Sequence, residues 1–309
     1  MAHYLVTGGC GFIGSHLADA LLGEGHAVTI LDDLSTGRLE NKPSRAELVV
    51  GDVADADAVR HAMDGVDGVF HLAAVASVQR SKELWAETHR TNVGGAVTVF
   101  EVARAIRDGG SVPVVYASSA AVYGDNPDTP LGEDCVPQPR SAYGVDKLGC
   151  ELHARVAWEI HNVPTVGFRF FNVYGPRQDP LSPYSGVISI FARRVARGEE
   201  VEIHGDGEQV RDFVYVGDVV RFLMASMQKR SQGAAVYNLC TGRPTSILML
   251  LDVLQELCGK KARRLHRPAR PGDIRVSIGD PAKARAAYGL TCRTGLLEGL
   301  GATVSWAVL

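Results

Sequence analysis

A glycine-rich turn between a short strand and a helix constrains the fold of this chain more than any other stretch. His3–Thr7 has the apolar character of a strand, Ser15–Gly23 has helical periodicity, and Gly8, Gly11 and Gly14 lie between them. Glycines permit a tight turn and a close backbone approach, and the N-terminus of the following helix favours a phosphate group. A glycine-rich turn alone is weak evidence, but a preceding strand and a following helix are the context of a dinucleotide-binding unit.

An acidic pair follows the second predicted strand. Ala27–Leu31 leads into Asp32 and Asp33, about 20 residues after the glycine turn, where a carboxylate holds the ribose 2′-hydroxyl of a dinucleotide. Arg38, a few residues on, is the opposing observation, because a guanidinium there can bind a 2′-phosphate. We give the carboxylates more weight, since they would repel that phosphate. The sequence therefore predicts NAD rather than NADP as the cofactor.

Strands and helices alternate over the next part of the chain. Predicted strands at 47–50, 68–70, 112–117 and 165–171 are separated by helical patterns that include 54–63 and 91–106. Such alternation predicts an α/β fold with a doubly wound parallel sheet of the Rossmann type, covered by helices on both faces.

The composition changes after the last of these strands. Proline, serine and glycine are frequent from Arg177 to Gly186, which indicates a loop, and the basic, proline-containing stretch 263–275 is also loop-like. We predict a dinucleotide-binding domain at 1–172, to which a segment near 209–240 returns, and a smaller C-terminal substrate-binding lobe at 173–309.

Ser119, Tyr143 and Lys147 are the strongest candidates for catalysis. Tyr143 and Lys147 are four residues apart, so on a helix their side chains project from one face. An ammonium group close to a phenol favours the phenolate, which can exchange a proton with a substrate hydroxyl. Ser119 comes just after the predicted strand 112–117, at the edge where open parallel sheets bind ligands. For the Tyr/Lys pair taken alone, an exposed helical pair is the alternative.

The overall composition argues against nucleic-acid, membrane and metal-binding roles. The chain of 309 residues has 32 Lys and Arg, 35 Asp and Glu, a net charge of −3 and no basic stripe, so we expect small-molecule ligands. Its six cysteines are scattered without a spacing typical of zinc or of disulfides, and we predict reduced thiols and no metal. Neither a signal-peptide pattern nor an apolar run of the ~18 residues of a membrane helix is found, which favours a cytoplasmic location.

Together these motifs resemble the extended short-chain dehydrogenase/reductase family. Within it, the sequence is similar to the nucleotide-sugar 4-epimerases related to UDP-galactose 4-epimerase, over nearly the whole chain. The resemblance rests on Gly8–His16, Asp32–Asp33, Gly51–Val53, His71–Ala74, Asn92, Ser118–Gly124, Tyr143–Lys147, Arg169–Gly175, Gly205–Phe213 and Arg270–Asp273.

The resemblance implies a role for each matching residue. Ser119 and Tyr143 would bracket the sugar hydroxyl and Lys147 would hold the nicotinamide ribose. The implied NAD-binding residues are Gly8, Gly11, Phe12, Ile13, Gly14, Asp32, Asp33, Asp52, Val53, Leu72, Ala73, Ala74, Asn92, Tyr143 and Lys147. The implied substrate-binding residues are Ser77, Ser119, Asn172, Val187, Arg211, Arg270, Asp273 and Ser277.

The two arginines in that set have a physical reason of their own. Arg211 and Arg270 lie in predicted loops, where guanidinium groups can hold a diphosphate through paired hydrogen bonds. Two solvated surface arginines are the alternative.

The residues after Ser119 narrow the reaction. Related 4,6-dehydratases and decarboxylases have carboxylates at the next positions, which here are Ala120 and Ala121. Without them, elimination and decarboxylation lack proton-transfer groups. The resemblance therefore implies NAD-dependent C4 epimerisation of a UDP-hexose through a transient 4-keto intermediate. The alternatives are a net dehydrogenase or reductase and a non-enzymatic NAD-binding sensor, which would need no Tyr/Lys pair.

One small residue bears on the choice of sugar. In the resembling epimerases, a position a few residues after Arg270–Asp273 walls the hexose pocket, and a small residue there admits a 2-acetamido group. That position is Ser277, and the loop 177–188, with Tyr184 and Ser185, also looks like the acetamido-accepting members. The resemblance thus implies interconversion of UDP-N-acetylglucosamine and UDP-N-acetylgalactosamine, as supply for a surface polysaccharide.

Other sugars remain open at this stage. Ser77 and Gln79 either contact the sugar or cap the following helix. UDP-glucose is one alternative substrate and UDP-glucuronate another, since Arg80 or Arg275 could meet its carboxylate.

Apolar residues on two predicted helices exceed what one core face requires. They are Val97, Phe100, Leu148, Leu152 and Val156, on the helices at 91–106 and 147–160. The resemblance implies a homodimer built from these helices, and a buried helix in a monomer is the alternative.

Overall fold

The computed structural model describes residues 1–106, 110–180, 186–229, 232–270 and 272–308, which form two compact units. The first unit comprises Met1–Val122, Pro139–Arg169 and Val220–Tyr237, and the second comprises Tyr123–Gln138, Phe170–Val219 and Asn238–Leu309. The domain bounds expected from the sequence stay a prediction. Tyr184, Ser185 and Pro271, which belong to motifs singled out above, lie outside the described residues.

Strands and helices alternate along most of the chain. The strands are β1 (His3–Thr7), β2 (Ala27–Asp32), β3 (Glu47–Val50), β4 (Gly68–His71), β5 (Val114–Ser119), β6 (Thr165–Phe170), β7 (Asn172–Tyr174), β8 (Val201–His204), β9 (Val210–Tyr215), β10 (Ala234–Leu239), β11 (Pro244–Ser246), β12 (Arg264–Arg267) and β13 (Val276–Ser277). The α-helices are α1 (Phe12–Gly23), α2 (Ala56–Ala62), α3 (Val78–Glu83), α4 (Trp85–His89), α5 (Gly95–Ala103), α6 (Ala142–His161), α7 (Val187–Arg197), α8 (Val216–Lys229), α9 (Ile247–Cys258), α10 (Ala282–Tyr288) and α11 (Leu296–Val308).

The first unit is built on a seven-stranded sheet with the strand order β10-β6-β5-β4-β1-β2-β3. The pairs β1/β2, β1/β4, β2/β3 and β4/β5 are parallel. The strand order reverses beside β1, and open α/β sheets bind ligands at the carboxyl ends of the strands next to such a reversal. The predicted α/β fold with a doubly wound parallel sheet is confirmed.

Helices cover this sheet because its strands are apolar on both faces. Leu5 of β1 and Val69 of β4 are fully buried, as continuous apolar runs in a parallel sheet require. Val99 of α5 and Ala154 of α6 belong to the same core cluster. The packing therefore fixes α6 close to the sheet.

The helix predicted at 91–106 is shorter and irregular. Arg90–Gly94 forms a π-helical segment, and α5 covers only Gly95–Ala103. Before it lie α3, which follows Ser77 as one of the two alternatives given for that residue required, and α4, which was not predicted because its short polar sequence carries no apolar periodicity. Phe100, assigned above to a surplus apolar face, is 5% exposed and belongs to the core.

The second unit has smaller sheets and its own core. β9 pairs in parallel with β7 and β13 and antiparallel with β11, while β8 pairs in parallel with β12. Side chains of α7, α9 and α11 meet in a core that includes Ile188, Val195, Leu250, Leu254 and Leu300.

The stretch 263–275 was expected to be loop-like, which is wrong for Arg264–Arg267. This segment is β12, in register with Val201–His204. The pairing uses backbone groups, while its basic side chains stay exposed or half-exposed, and Arg267 reaches Glu202 at 3.2 Å. Hydropathy therefore carried no signal for this strand.

None of the described helices is long and apolar enough to cross a membrane. All six cysteines lie within the described residues and are free thiols, four of them buried. Nowhere in the described part of the chain do three or more His, Cys, Asp or Glu side chains cluster as they would around a metal ion.

Candidate active site

Ser119, Tyr143 and Lys147 lie on neighbouring elements of the first unit. Ser119 is the last residue of β5, and its Oγ accepts a hydrogen bond from the backbone N–H of Ala121 at 3.1 Å. Tyr143 and Lys147 lie near the start of α6, whose first turn is capped by the Ser141 hydroxyl. The placement expected from the sequence, at a strand end and on one helix face, is found, and the catalytic assignment stays a proposal.

Lys147 and Tyr143 are held against neighbouring segments. Lys147 is 4% exposed, and its Nζ donates to the carbonyl oxygen of Ala117 at 2.9 Å while lying 5.8 Å from the ring centre of Tyr143. The backbone N–H of Tyr143 donates to Ser81 Oγ at 3.2 Å. Because an ammonium group has three donors, Lys147 retains donors for the phenol and for a ligand hydroxyl.

The glycine turn has the shape that a dinucleotide needs. Gly8 has a φ of +71°, and a Cβ there would lie 2.8 Å from the backbone nitrogen of Ala73. A Cβ at Gly14 would overlap the carbonyl oxygen of Gly8. The N-cap of α1 is Gly11, which has no side chain to occupy the first N–H groups, and no acidic residue lies in the first turn. These N–H groups can therefore receive a diphosphate, and the residues present fit NAD.

Asp32 shapes this turn and has capacity for a ribose contact. Its buried carboxylate accepts N–H groups from Cys10 and Leu34, both at 2.9 Å. Burial raises the pKa of Asp32, against the lowering effect of these two hydrogen bonds. A carboxylate offers about four lone-pair sites, so it can still accept a hydroxyl. The exposed Asp33 instead binds the N–H and hydroxyl of Ser35 at 2.9 and 2.6 Å, which favours Asp32 for the ribose contact.

The next two predicted cofactor residues follow β3. Asp52 accepts the N–H of Ala54 at 2.8 Å and forms an ion pair with Arg90 at 2.7 Å, while Val53 is buried. Arg90 was not predicted as a site residue, because its partner lies 38 residues away in the sequence.

Hydrogen bonds of the Thr7 hydroxyl join the ends of β1 and β4. Its Oγ1 accepts the N–H groups of Leu72 and Ala73 at 3.2 and 3.1 Å, which uses both lone pairs. The hydroxyl proton must therefore go to Nδ1 of His71, at 2.9 Å. His71 is neutral with its proton on Nε2, in accord with a pKa lowered to about 3 by burial and by the charge of Lys147.

Asn92 acts on the segment that follows β4. Its buried side chain accepts the N–H of Val75 at 2.8 Å and donates to the carbonyl oxygen of Val75 at 3.4 Å. Both hydrogen bonds go to Val75, the residue after Leu72–Ala74, so Asn92 holds that segment in place.

The side chains of Ser77 and Gln79 form hydrogen bonds at α3. Ser77 is the N-cap, and its Oγ accepts the N–H of Arg80 at 3.0 Å. Gln79 donates to Glu83 at 2.8 Å. Of the two alternatives given above, capping is observed for Ser77, whose hydroxyl proton is still available to a ligand.

In the second unit, Arg211 lies in strand β9 and not in a loop as expected. It donates to Asp273 at 2.6 Å and to the carbonyl oxygen of Val210 at 2.9 Å, with 15% of its side chain exposed. Ser277 pairs with Arg211 in the register of β13 and β9. Burial lowers the pKa of Arg211, and the charge of Asp273 opposes that effect. The two hydrogen bonds orient the guanidinium.

The remaining predicted substrate residues of the second unit lie at element ends. Asn172 is the exposed first residue of β7, and Val187 begins α7. Arg270 is exposed, and its carbonyl oxygen accepts the N–H of Asp273 at 3.1 Å.

Three buried polar residues behind β5 were missed as a group. Ser118 donates to Glu151 at 2.5 Å, and Arg169 binds both oxygens of the same carboxylate at 2.9 and 2.8 Å. The available signals were an arginine inside an apolar strand and a glutamate four residues after Lys147. Only the fold shows that they meet.

The sheet order and the glycine turn define a Rossmann-type dinucleotide-binding protein. The chain belongs to the NAD-dependent epimerase/dehydratase family, whose model matches residues 4–240. The cofactor of that family is NAD.

Known relatives cover nearly the whole chain. A UDP-glucose 4-epimerase of Mycolicibacterium smegmatis is 37% identical over 98% of this chain and 97% of its own length. The structure of a UDP-glucose 4-epimerase from Thermotoga maritima with UDP-glucose has a TM-score of 0.94 at 37% identity, over 98% of both chains. A UDP-N-acetylglucosamine 4-epimerase of Methanobrevibacter ruminantium, in complex with UDP-N-acetylmuramic acid, has a TM-score of 0.92 at 34% identity, over 99% of this chain and 97% of that one.

Proposed function

We propose that this chain is an NAD-dependent UDP-hexose 4-epimerase and that it prefers UDP-N-acetylglucosamine and UDP-N-acetylgalactosamine. The observation that carries the activity is the buried Lys147 beside Tyr143, on a helix bonded to the strand that ends in Ser119. Names of relatives support the epimerase reaction, and they include both UDP-glucose and UDP-N-acetylglucosamine 4-epimerases.

The protein residues handle the proton in this reaction. Tyr143 acts as the general base toward the sugar 4-hydroxyl, while Ser119 donates or accepts a hydrogen bond at the same oxygen. Lys147 places its ammonium group beside the Tyr143 ring and orients the nicotinamide ribose. Bound NAD would supply a reversible hydride acceptor for C4. Ala120 and Ala121 offer no further acid or base, so the reaction ends with return of the hydride to C4 and of the proton to the oxygen on C4.

Arg211 is proposed to anchor the diphosphate. Its guanidinium is fixed by Asp273 and by the Val210 carbonyl, and its other N–H groups can bind phosphate oxygens. An anchor that holds the nucleotide while the sugar turns lets either face of the 4-keto sugar receive hydride.

Ser277 supports the acetamido preference. It is half-buried and lies beside Arg211, and its small side chain leaves room next to the proposed diphosphate anchor. Steric exclusion is one of the few ways in which a pocket strongly rejects a larger substrate.

We also propose a homodimer built on α6. Val145, Leu152, Val156 and Ile160 on this helix are between 46% and 67% exposed. These positions recur at helical spacing, so they form one apolar stripe on α6.

Separate turnover of UDP-N-acetylglucosamine, UDP-glucose and UDP-glucuronate tests the substrate assignment. We expect the highest kcat/KM for the acetamido sugar, and a loss of that preference in Ser277→Tyr with UDP-glucose turnover retained. Highest kcat/KM for UDP-glucose or UDP-glucuronate would reject it. NADH accumulating in step with product would instead identify a net dehydrogenase, and no turnover with tight NAD binding would identify a sensor.

A further inference from the structure

Helix α6 is bonded to β5 at two successive positions just before Ser119. Lys147 donates to the carbonyl oxygen of Ala117, and one helical turn later Glu151 accepts the hydroxyl of Ser118. Residues four apart on a helix are separated by about 6 Å along its axis. Two adjacent residues of β5 are therefore hydrogen-bonded to two successive turns of α6, the helix that carries Tyr143.

The Glu151 carboxylate is itself held by Arg169 from β6, the neighbour of β5 in the sheet. Arg169 Nε donates to Glu151 Oε1 at 2.9 Å and Nη2 donates to Oε2 at 2.8 Å, with both side chains 7% exposed. A two-point guanidinium–carboxylate pair restricts rotation of the carboxylate. Glu151 thus cannot turn away from Ser118 without breaking a buried ion pair.

Stability alone does not account for this arrangement. Desolvation offsets most of the attraction in a buried ion pair, and apolar residues of similar volume would serve a core as well. Apolar residues cannot hold the Ser118 hydroxyl, and so cannot fix how far along β5 the helix sits. A displacement of about 1 Å at a reacting group lowers a rate by about 100-fold.

We propose that Glu151 and Arg169 are a positioning pair, which sets Tyr143 and Lys147 of α6 against Ser119 of β5 through Ser118. Both side chains are 7% exposed, and the pair acts through its hydrogen bond to Ser118. The expected effect of the Glu151–Arg169 pair on turnover rests on the function proposed above. Its effect on the position of Lys147 does not.

The main test is the double variant Glu151→Met/Arg169→Met, which avoids leaving a single buried charge. We expect a folded protein whose kcat falls about ten-fold or more while KM for the UDP-sugar stays within about two-fold. Wild-type kcat in the folded double variant would overturn the proposal.

Ser118→Ala keeps the proposal testable if the double variant does not fold. It removes one hydroxyl and leaves the ion pair intact, so we expect a near wild-type melting temperature with a reduced kcat. An unchanged kcat in Ser118→Ala would contradict a positioning role for the Ser118–Glu151 hydrogen bond. The matched control is Glu200→Met/Arg263→Met, a surface Glu–Arg pair of the second unit at 3.2 Å, which should leave kcat and KM unchanged.

Calorimetric titration with NAD separates this proposal from the proposed function. If the wild-type protein turns over no UDP-hexose, the function fails, and the dissociation constant for NAD then decides the positioning claim. A several-fold weaker NAD affinity in Ser118→Ala and in the double variant supports it. Wild-type affinity in both overturns it.

Discussion

Tyr143 is the residue at which the proposed chemistry is tested most directly. Tyr143→Phe removes only the hydroxyl, so we expect turnover to fall by about 10²- to 10⁴-fold, the usual contribution of acid–base catalysis. NAD affinity and melting temperature should stay near the wild-type values. Tyr237→Phe, whose ring packs on Phe168 at 6.0 Å, is the control and should retain full turnover. Substantial activity in Tyr143→Phe would remove the assignment.

His71 gives the protein a pH-dependent stability. Its pKa is lowered from 6.5 to about 3 in the folded chain, by burial first and by Lys147 second. Between these values the unfolded chain binds a proton that the folded chain does not, so stability is lost as the pH falls below about 6.5. The loss approaches about 1.4 kcal/mol per pH unit.

The variant His71→Asn isolates this effect. Asn keeps an acceptor for the Thr7 hydroxyl but does not titrate, so its unfolding free energy should decrease less between pH 7 and pH 4. Urea unfolding at several pH values measures the difference. Parallel curves for the two proteins would show that another group causes the acid sensitivity.

At the scale of the element, the strand–glycine–helix unit at the N-terminus offers a matched pair of substitutions. Gly14→Ala places a Cβ against the carbonyl of Gly8, whereas Gly23→Ala, on the same helix, meets nothing within 4 Å. We expect Gly14→Ala to abolish or strongly weaken NAD binding and Gly23→Ala to bind NAD normally. Titration with NAD, monitored by calorimetry, compares them, and equal affinities would contradict the proposed cofactor site.

Elements with a strong apolar pattern were predictable, and those formed by backbone pairing were not. The strand at 47–50 was expected with its observed bounds, because its apolar residues and flanking turns mark both ends. By contrast, β12 (Arg264–Arg267) is defined by its backbone pairing with β8. No pattern in the sequence indicates that pairing.

The same distinction applies to the candidate site. Ser119, Tyr143 and Lys147 could be predicted, since a strand end and a four-residue helical spacing are local features. Arg211 and Asp273 are 62 residues apart, and their ion pair depends on how β9 and the segment before β13 come together. The residue types are predictable from the sequence, but the pairing of their side chains is not.

At the scale of the whole molecule, the exposed stripe on α6 predicts self-association. Leu152→Asp introduces a charge where a partner helix would pack, so we expect light scattering to report a dimer for the wild type and a monomer for this variant. Met249→Asp, at a residue of the second unit that is 53% exposed, should remain a dimer. A wild-type monomer at micromolar concentration would refute the prediction.

The ion pair between Glu151 and Arg169 also limits how sequences like this one can diverge. Loss of either partner leaves one buried charge without compensation, which typically costs about 3–5 kcal/mol, whereas loss of both can be nearly neutral for folding. Most single-step routes away from the pair therefore pass through a protein with little stability left. Natural variants should exchange the two residues together or retain both, and this inheritance pattern sets the pair apart from the exposed Arg263 and Glu200.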